Sequence, residues 1–305
     1  MTRYLKTLLA TCTLAAGQAF AAAPLPVVAS FSILGDVARA IGGERVKVET
    51  LVGPNQDAHV YQAKPADIQK IRAAKVVLVN GLGFEGASIQ RAVRDSKVYN
   101  LAVSKGIPTI KVEDDHDHDH KGHDHGHDHG DVDPHVWTDP AAMQRYAQNV
   151  AGALIIADPE GRLYYGQRLL DYQQTLRELD NWAAQQFNTI PKAQRKVLTG
   201  HDAFAYLGKR YEVQFLSPQG TSTESEASAR TVAKLIQQVK KEQVKAVFVE
   251  NIKDPRLVQQ LAKEAGVTVQ TEPLYADALS PAGGPATSYV NMMRHNVTQM
   301  VKAMK

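Results

Sequence analysis

Hydrophobic positions along the chain switch repeatedly between a period of two and a helical period, and that switching predicts an α/β protein. Residues 27–30 read as a short strand. Ser32 then opens an apolar-periodic helix that runs through Ile41 and stops at Gly42 and Gly43. Val46, Val48, Thr50 and Val52 occupy every second position, the signature of a strand. Pro65 begins a helix carrying Ile68 and Ile71, and residues 76–79 form a continuous apolar run of strand length. Strands alternating with helices imply parallel pairing, with helices laid on the sheet faces.

Asp139 before Pro140 and Asp158 before Pro159 both read as helix starts, with Asp as N-cap and Pro at the first helical position. From 158 the helical pattern persists to about Asn188, with Leu169, Tyr172, Leu176, Leu179, Ala183 and Phe187 on one face. About thirty residues at ~1.5 Å each span roughly 45 Å, enough to cross a domain. The second half repeats the theme. Strands are expected at 196–199, 244–249 and 267–271, with a helix from Asp254 and Pro255 to Gly266 and a last helix from about Ser288. The predicted fold is α/β: two parallel-sheet lobes, 24–157 and 191–305, joined by a long rigid helix over 158–190. In open parallel sheets, ligands bind beyond the C-terminal ends of strands.

Composition narrows the class. Of 305 residues, 44% are hydrophobic and 22% charged, a balance that supports a packed core. The 35 Lys and Arg against 32 Asp and Glu create no electrostatic demand for nucleic acid. Arg3 and Lys6 precede a short apolar stretch over 8–20, with small residues Ala19, Ala21 and Ala23 and then Pro24. That layout predicts a cleaved signal peptide over 1–23 and an exported chain. The sole cysteine, Cys12, lies inside this leader, too early for a lipoprotein cleavage site, so the mature chain has neither disulfide nor cysteine metal ligands.

Chemistry concentrates in the histidines. Seven of the eleven are His116, His118, His120, His123, His125, His127 and His129. They stand in a stretch, 113–133, that carries nine acidic residues and one lysine. Such a stretch cannot bury enough apolar surface to order itself. Its imidazoles and carboxylates suit divalent zinc, nickel or copper, and mark it as an auxiliary metal-collecting loop. His59, His135 and His201 occupy loops that follow or precede predicted elements, while His295 lies within the last helix and reads as a packing residue. Three imidazoles begin a zinc site, and Asp277, following the 267–271 strand as His201 follows its own, is the candidate fourth ligand. Trp137, Tyr61 and Phe84 would wall the site. Asp57, Asp139 and Asp202 are candidate acceptors behind the imidazoles, with helix capping the default for Asp139.

The stretches ASFSILGDVARAIGG, DAHVYQAKPADIQKI, NGLGFE, DPHVWTDP, GHDAFAYL, TSTESEASA, YADALS and ATSYVNMMRHNV resemble, in order, the solute-binding proteins of the zinc/manganese ABC importers (cluster A-I, solute-binding family 9). The resemblance implies a metal held in the cleft between two lobes, with His59, His135, His201 and Asp277 on the four ligand positions. It also implies a periplasmic monomer whose partner is the membrane permease subunit of an ABC importer, with a periplasmic metallochaperone as candidate supplier. Ala58 stands where many members have Pro, Ala227 replaces Pro in a Glu-Pro-Ser segment, and a second-lobe disulfide known in some zinc members is missing. Manganese-specific members place a carboxylate where His201 stands, so the expected cargo is Zn2+, with manganese the alternative. A rival reading is a zinc-dependent hydrolase. It requires an open coordination position and a general base, yet neither Glu85 nor Glu224 is spaced to pair with the histidines. An adhesin or plain metal buffer would keep the His-rich tract without requiring Asp277.

Overall fold

The computed structural model describes residues 23–112 and 132–305. Residues 1–22 of the expected leader and the seven clustered histidines lie outside the described residues. In the first lobe, β1 (Leu25–Phe31), α1 (Ser32–Gly42), β2 (Val46–Val52), α2 (Pro65–Ala73), β3 (Val76–Val79), α3 (Ala87–Ser96) and β4 (Asn100–Ala102) form a sheet of order β2-β1-β3-β4. Every pairing is parallel, with Val27 opposite Val48 on one side and Val76 on the other. β1 is therefore central, and its residues 27–31 are all buried. Helix α4 (Pro140–Ala157) follows, capped as expected by Asp139, whose side chain accepts the N–H of Ala141 at 2.8 Å.

The linking element is α5 (Arg162–Asn188), 27 residues and so roughly 40 Å long. It starts later than the Asp-Pro signal implied, because Pro159–Gly161 forms a separate 3-10 turn. Asp158 takes another part. Its carboxylate pairs with Arg45 at 2.9 and 3.0 Å and accepts the Tyr165 hydroxyl at 2.7 Å, tying the root of α5 to the start of β2. Tyr165, Leu176, Leu179, Ala183 and Phe187 form the fully buried stripe, facing α4 and α1 at one end and the C-terminal helix at the other.

The second lobe contains β5 (Lys196–Leu198), α6 (Ala205–Tyr211), β6 (Gln214–Leu216), α7 (Ala229–Lys241), β7 (Ala246–Val247), α8 (Arg256–Ala265) and α9 (Tyr289–Met304). Its sheet is β6-β5-β7, again parallel. The strand expected over 244–249 shrinks to two paired residues. The one expected over 267–271 is a single bridge, Val247 with Val269. This stretch lies at the sheet edge with one neighbour to pair with, and the chain bends before Pro273, which has no N–H to donate. Pairing resumes at a second bridge, Glu250 with Leu274.

The main core runs continuously from the first sheet through the buried stripe of α5 into Phe204, Leu207, Tyr275 and Tyr289. A smaller cluster under α7 and α8 belongs to the second lobe alone. Among the described residues, no helix is long and apolar enough to cross a membrane.

Phe187, fully buried and stacked on Tyr211 of α6 at 5.2 Å, couples α5 to the second lobe. Phe187→Ala is expected to cost about 3–5 kcal/mol in urea unfolding. Leu163→Ala, at a side chain 86% exposed on the same helix, is expected to fall within about 0.5 kcal/mol of zero.

Candidate metal centre

Four loops at the C-terminal ends of the two sheets converge. His59 lies in the loop between β2 and α2, on a segment pressed against Gly86. Gly86 donates its N–H to the Ala58 carbonyl at 3.1 Å, and a Cβ there would fall 2.2 Å from the His59 oxygen. Only glycine allows that approach. His135 precedes a 3-10 turn, Val136–Thr138, at the foot of α4. His201 follows β5, and Asp277 follows the Leu274 bridge. Two donors come from each lobe.

Each of the four residues offers a donor atom within 4.8 Å of the other three. Nε2 of His59 and of His201 stand 3.3 and 3.2 Å from Asp277 Oδ2, and Nε2 of His135 stands 3.5 Å from Oδ1. None of these contacts is aligned as a hydrogen bond. Among the described residues the three Nε2 atoms and both Asp277 oxygens are buried without a hydrogen-bond partner. Buried polar atoms are ordinarily paired, so five convergent orphans mark a place for a cation. Three nitrogens and a carboxylate oxygen suit the tetrahedral preference of zinc.

Two of the rings are held from behind. Asp133 Oδ1 accepts the His135 main-chain N–H at 2.8 Å and faces Nδ1 at 2.7 Å. Glu250 Oε1 accepts the N–H groups of Gly200 and His201 at 2.7 and 2.9 Å, while its Oε2 faces His201 Nδ1 at 2.5 Å. With Nδ1 facing a carboxylate, Nε2 is the ring nitrogen left to face the centre. These acceptors correct the expectation. Asp57 receives the main-chain N–H of His59 instead of a ring proton, and Asp202 makes no hydrogen bond to an imidazole among the described residues, while Asp139 takes its default place as the helix cap. In sequence Asp133 ends the acidic stretch 113–133, yet Val132 bridges Lys111 and Asp133 is buried in the body. Its position two residues before His135 was the available signal. Glu250, 49 residues from His201, had only its place at the end of the β7 segment.

Burial opposes charge on His201, but the Glu250 and Asp277 carboxylates beside it push its pKa well above the usual imidazole value. Burial likewise favours the neutral acid at Asp277, yet the imidazoles of His201 and His135 hold its carboxyl well below the usual range. Phe84 and Trp137 wall the site as expected, with ring centroids 4.8 Å from His59 and 5.2 Å from His135. Tyr61 is half-buried and donates to Asp67 instead. The Trp137 indole reaches the Ala276 carbonyl at 2.9 Å, and Asn296 of α9 bonds both main-chain groups of Tyr275. The Asp277 loop is thereby held on both sides. Glu85 is no general base, since its oxygens accept the Ser30 hydroxyl and the N–H groups of Asn80 and Gly81. His295 packs on Tyr275 and contacts the Pro273 carbonyl.

Residues 27–303 match the family described as zinc-uptake complex component A, periplasmic (ZnuA). The manganese-binding lipoprotein MntA of Bacillus subtilis is 33% identical over 287 residues, covering 92% of this chain and 90% of its own. Among solved structures, the periplasmic zinc-binding protein TroA from Treponema pallidum superposes with a TM-score of 0.83 at 28% identity, over 92% of this chain and 99% of its own. A manganese-bound periplasmic metal-binding protein from Candidatus Liberibacter asiaticus gives 0.79 at 26% identity, over the same shares.

Glu250→Gln keeps the size of the side chain but removes the charge behind His201. It is expected to weaken divalent-ion binding by about 10–100-fold in competition with a chromophoric chelator.

Proposed function

The chain belongs to the family of periplasmic zinc-uptake components, metal-binding substrate-binding proteins of ABC importers and not enzymes, and from that premise we propose that it captures Zn2+ with high affinity. The proposed ligands are His59, His135, His201 and Asp277. The observation that carries the choice of metal is the donor set, three imidazole nitrogens and one carboxylate. Zinc outranks manganese in intrinsic affinity for such a site. Manganese is the second reading, supported by the name of the Bacillus subtilis relative. The third imidazole, His201, argues against it. Metal analysis of protein purified without a tag or added metal decides between them. Manganese recovered in stoichiometric amount, with zinc unable to displace it, would overturn the zinc reading.

The proposed division is a leader over 1–23 removed on export to the periplasm, a lobe over 24–157, the linking helix over 158–190 and a lobe over 191–305. The ion would then tie the two lobes together. A nanomolar site represents about 12 kcal/mol, ample to order the surrounding loops. The proposed receiver is the permease subunit, which would distinguish loaded from unloaded monomer by surface shape. The clustered histidines over 116–129 are proposed to collect metal, with a metallochaperone as candidate supplier.

His201→Ala and Asp277→Ala are expected to abolish tight Zn2+ binding in titration calorimetry, whereas deletion of 116–129 leaves the affinity of the cleft nearly unchanged. Because an imidazole binds metal only when neutral, protons compete for the site. A raised pKa at His201 keeps that proton bound to higher pH. Zinc affinity should therefore begin to fall above the ordinary imidazole range of about 6–6.5 and keep falling as pH drops through it, and a dissociation constant flat between pH 5 and 8 would speak against the ligand set.

A further inference from the structure

The three imidazoles of the cleft are not held alike. His135 and His201 each have a carboxylate behind the ring, Asp133 and Glu250. Among the described residues no carboxylate backs the ring of His59, and its position is set through the main chain, where its N–H donates to Asp57 Oδ1 at 2.9 Å. The other oxygen of Asp57 accepts the Thr223 hydroxyl at 2.6 Å, and Thr223 belongs to the second lobe, 166 residues further along the chain. Thr223 is nearly buried, and its carbonyl accepts Lys253 Nζ at 3.3 Å. A segment of the second lobe thus fixes a ligand loop of the first.

His59 is also where the centre comes nearest to solvent. His135, His201 and Asp277 are 0% exposed and His59 is 3% exposed. Two cavities, of about 400 and 370 Å3, are lined by His59, and both are lined as well by Glu224, the residue after Thr223. An ion entering or leaving would pass this edge, beneath the segment that Thr223 pins down.

We propose that Thr223, acting from the second lobe through Asp57, is a positioning residue for His59 and sets the rate at which the ion is exchanged. The proposal rests on the reading of His59 as a ligand. The hydrogen bond from Thr223 to a carboxylate is of the stronger, charge-assisted kind. While it holds, it restrains the loop carrying His59 nearest the ligand, alongside the Asn55 N–H bond to the Leu279 carbonyl further back. When it breaks, His59 is less tightly held on the side open to the cavities. Removing the hydroxyl speeds both departure and capture, so the two rates change more than their ratio.

The test is stopped-flow release of Zn2+ from the loaded chain into excess chelator, alongside equilibrium titration, for the wild type, Thr223→Val and Thr223→Ser. Valine keeps the shape and removes the hydroxyl, and its release is expected to be about tenfold faster, the scale of one hydrogen bond to a charged group. Its equilibrium affinity should change by less than that factor. Serine restores the hydroxyl and should return release to the wild-type rate. Wild-type release from the valine variant, or serine as fast as valine, would overturn the assignment to Thr223 while leaving the site intact. Failure of the wild type itself to hold Zn2+ at equilibrium would instead remove the reading on which the assignment rests.

Discussion

The structure is organised around one buried carboxylate. Asp277 presents two oxygens to three imidazole nitrogens, all five atoms buried, and none of the five has another partner among the described residues. Such a cluster is costly to hold together in the interior. It persists because the surrounding chain over-determines each member. Glu250 and Asp133 fix two rings, Asn296 fixes the backbone beside Asp277, and Gly86 gives the His59 segment room to lie close. The loops are irregular in conformation yet their hydrogen bonds are specific.

The same logic explains why the lobes do not behave as independent bodies. The first-sheet core continues through α5 into second-lobe side chains. Polar bonds cross the cleft as well. Tyr289 N–H donates to Asp36, Leu279 N–H to the Ser32 hydroxyl, and Asn55 N–H to the Leu279 carbonyl. A large hinge motion would break a continuous apolar core together with these bonds. Rearrangement confined to loops breaks far fewer.

The elements legible in the sequence are those where several local signals agree. α1 has an apolar stripe and paired glycines at its end, β2 alternates over its whole length, and α5 keeps one apolar face for 27 residues. The strand expected at 267–271 failed because β-branched residues report a preference, whereas a ladder needs a neighbour on the right side and a chain that stays straight. At the site, the donors could be found because loops at strand ends build sites and because the motifs resemble a family. The groups behind them could not. Asp57 and Asp202 are sequence neighbours of histidines, but partners of a ring are chosen in space. Glu250 reaches His201 from the chain beyond the end of β7, a relation that no local pattern encodes.

The antiparallel bridge between Lys111 and Val132, reinforced by the Asp133 N–H on the Ile110 carbonyl at 2.8 Å, brings the two sides of the histidine-bearing insert together at its base. Closing a longer or shorter connection over such a fixed base changes the entropy only logarithmically. The fold of the body thus closes on itself at these two anchor points. Evolution can lengthen, trim or rewrite the insert as a cassette, and an engineer can replace it with a reporter, without renegotiating the fold that holds the ion.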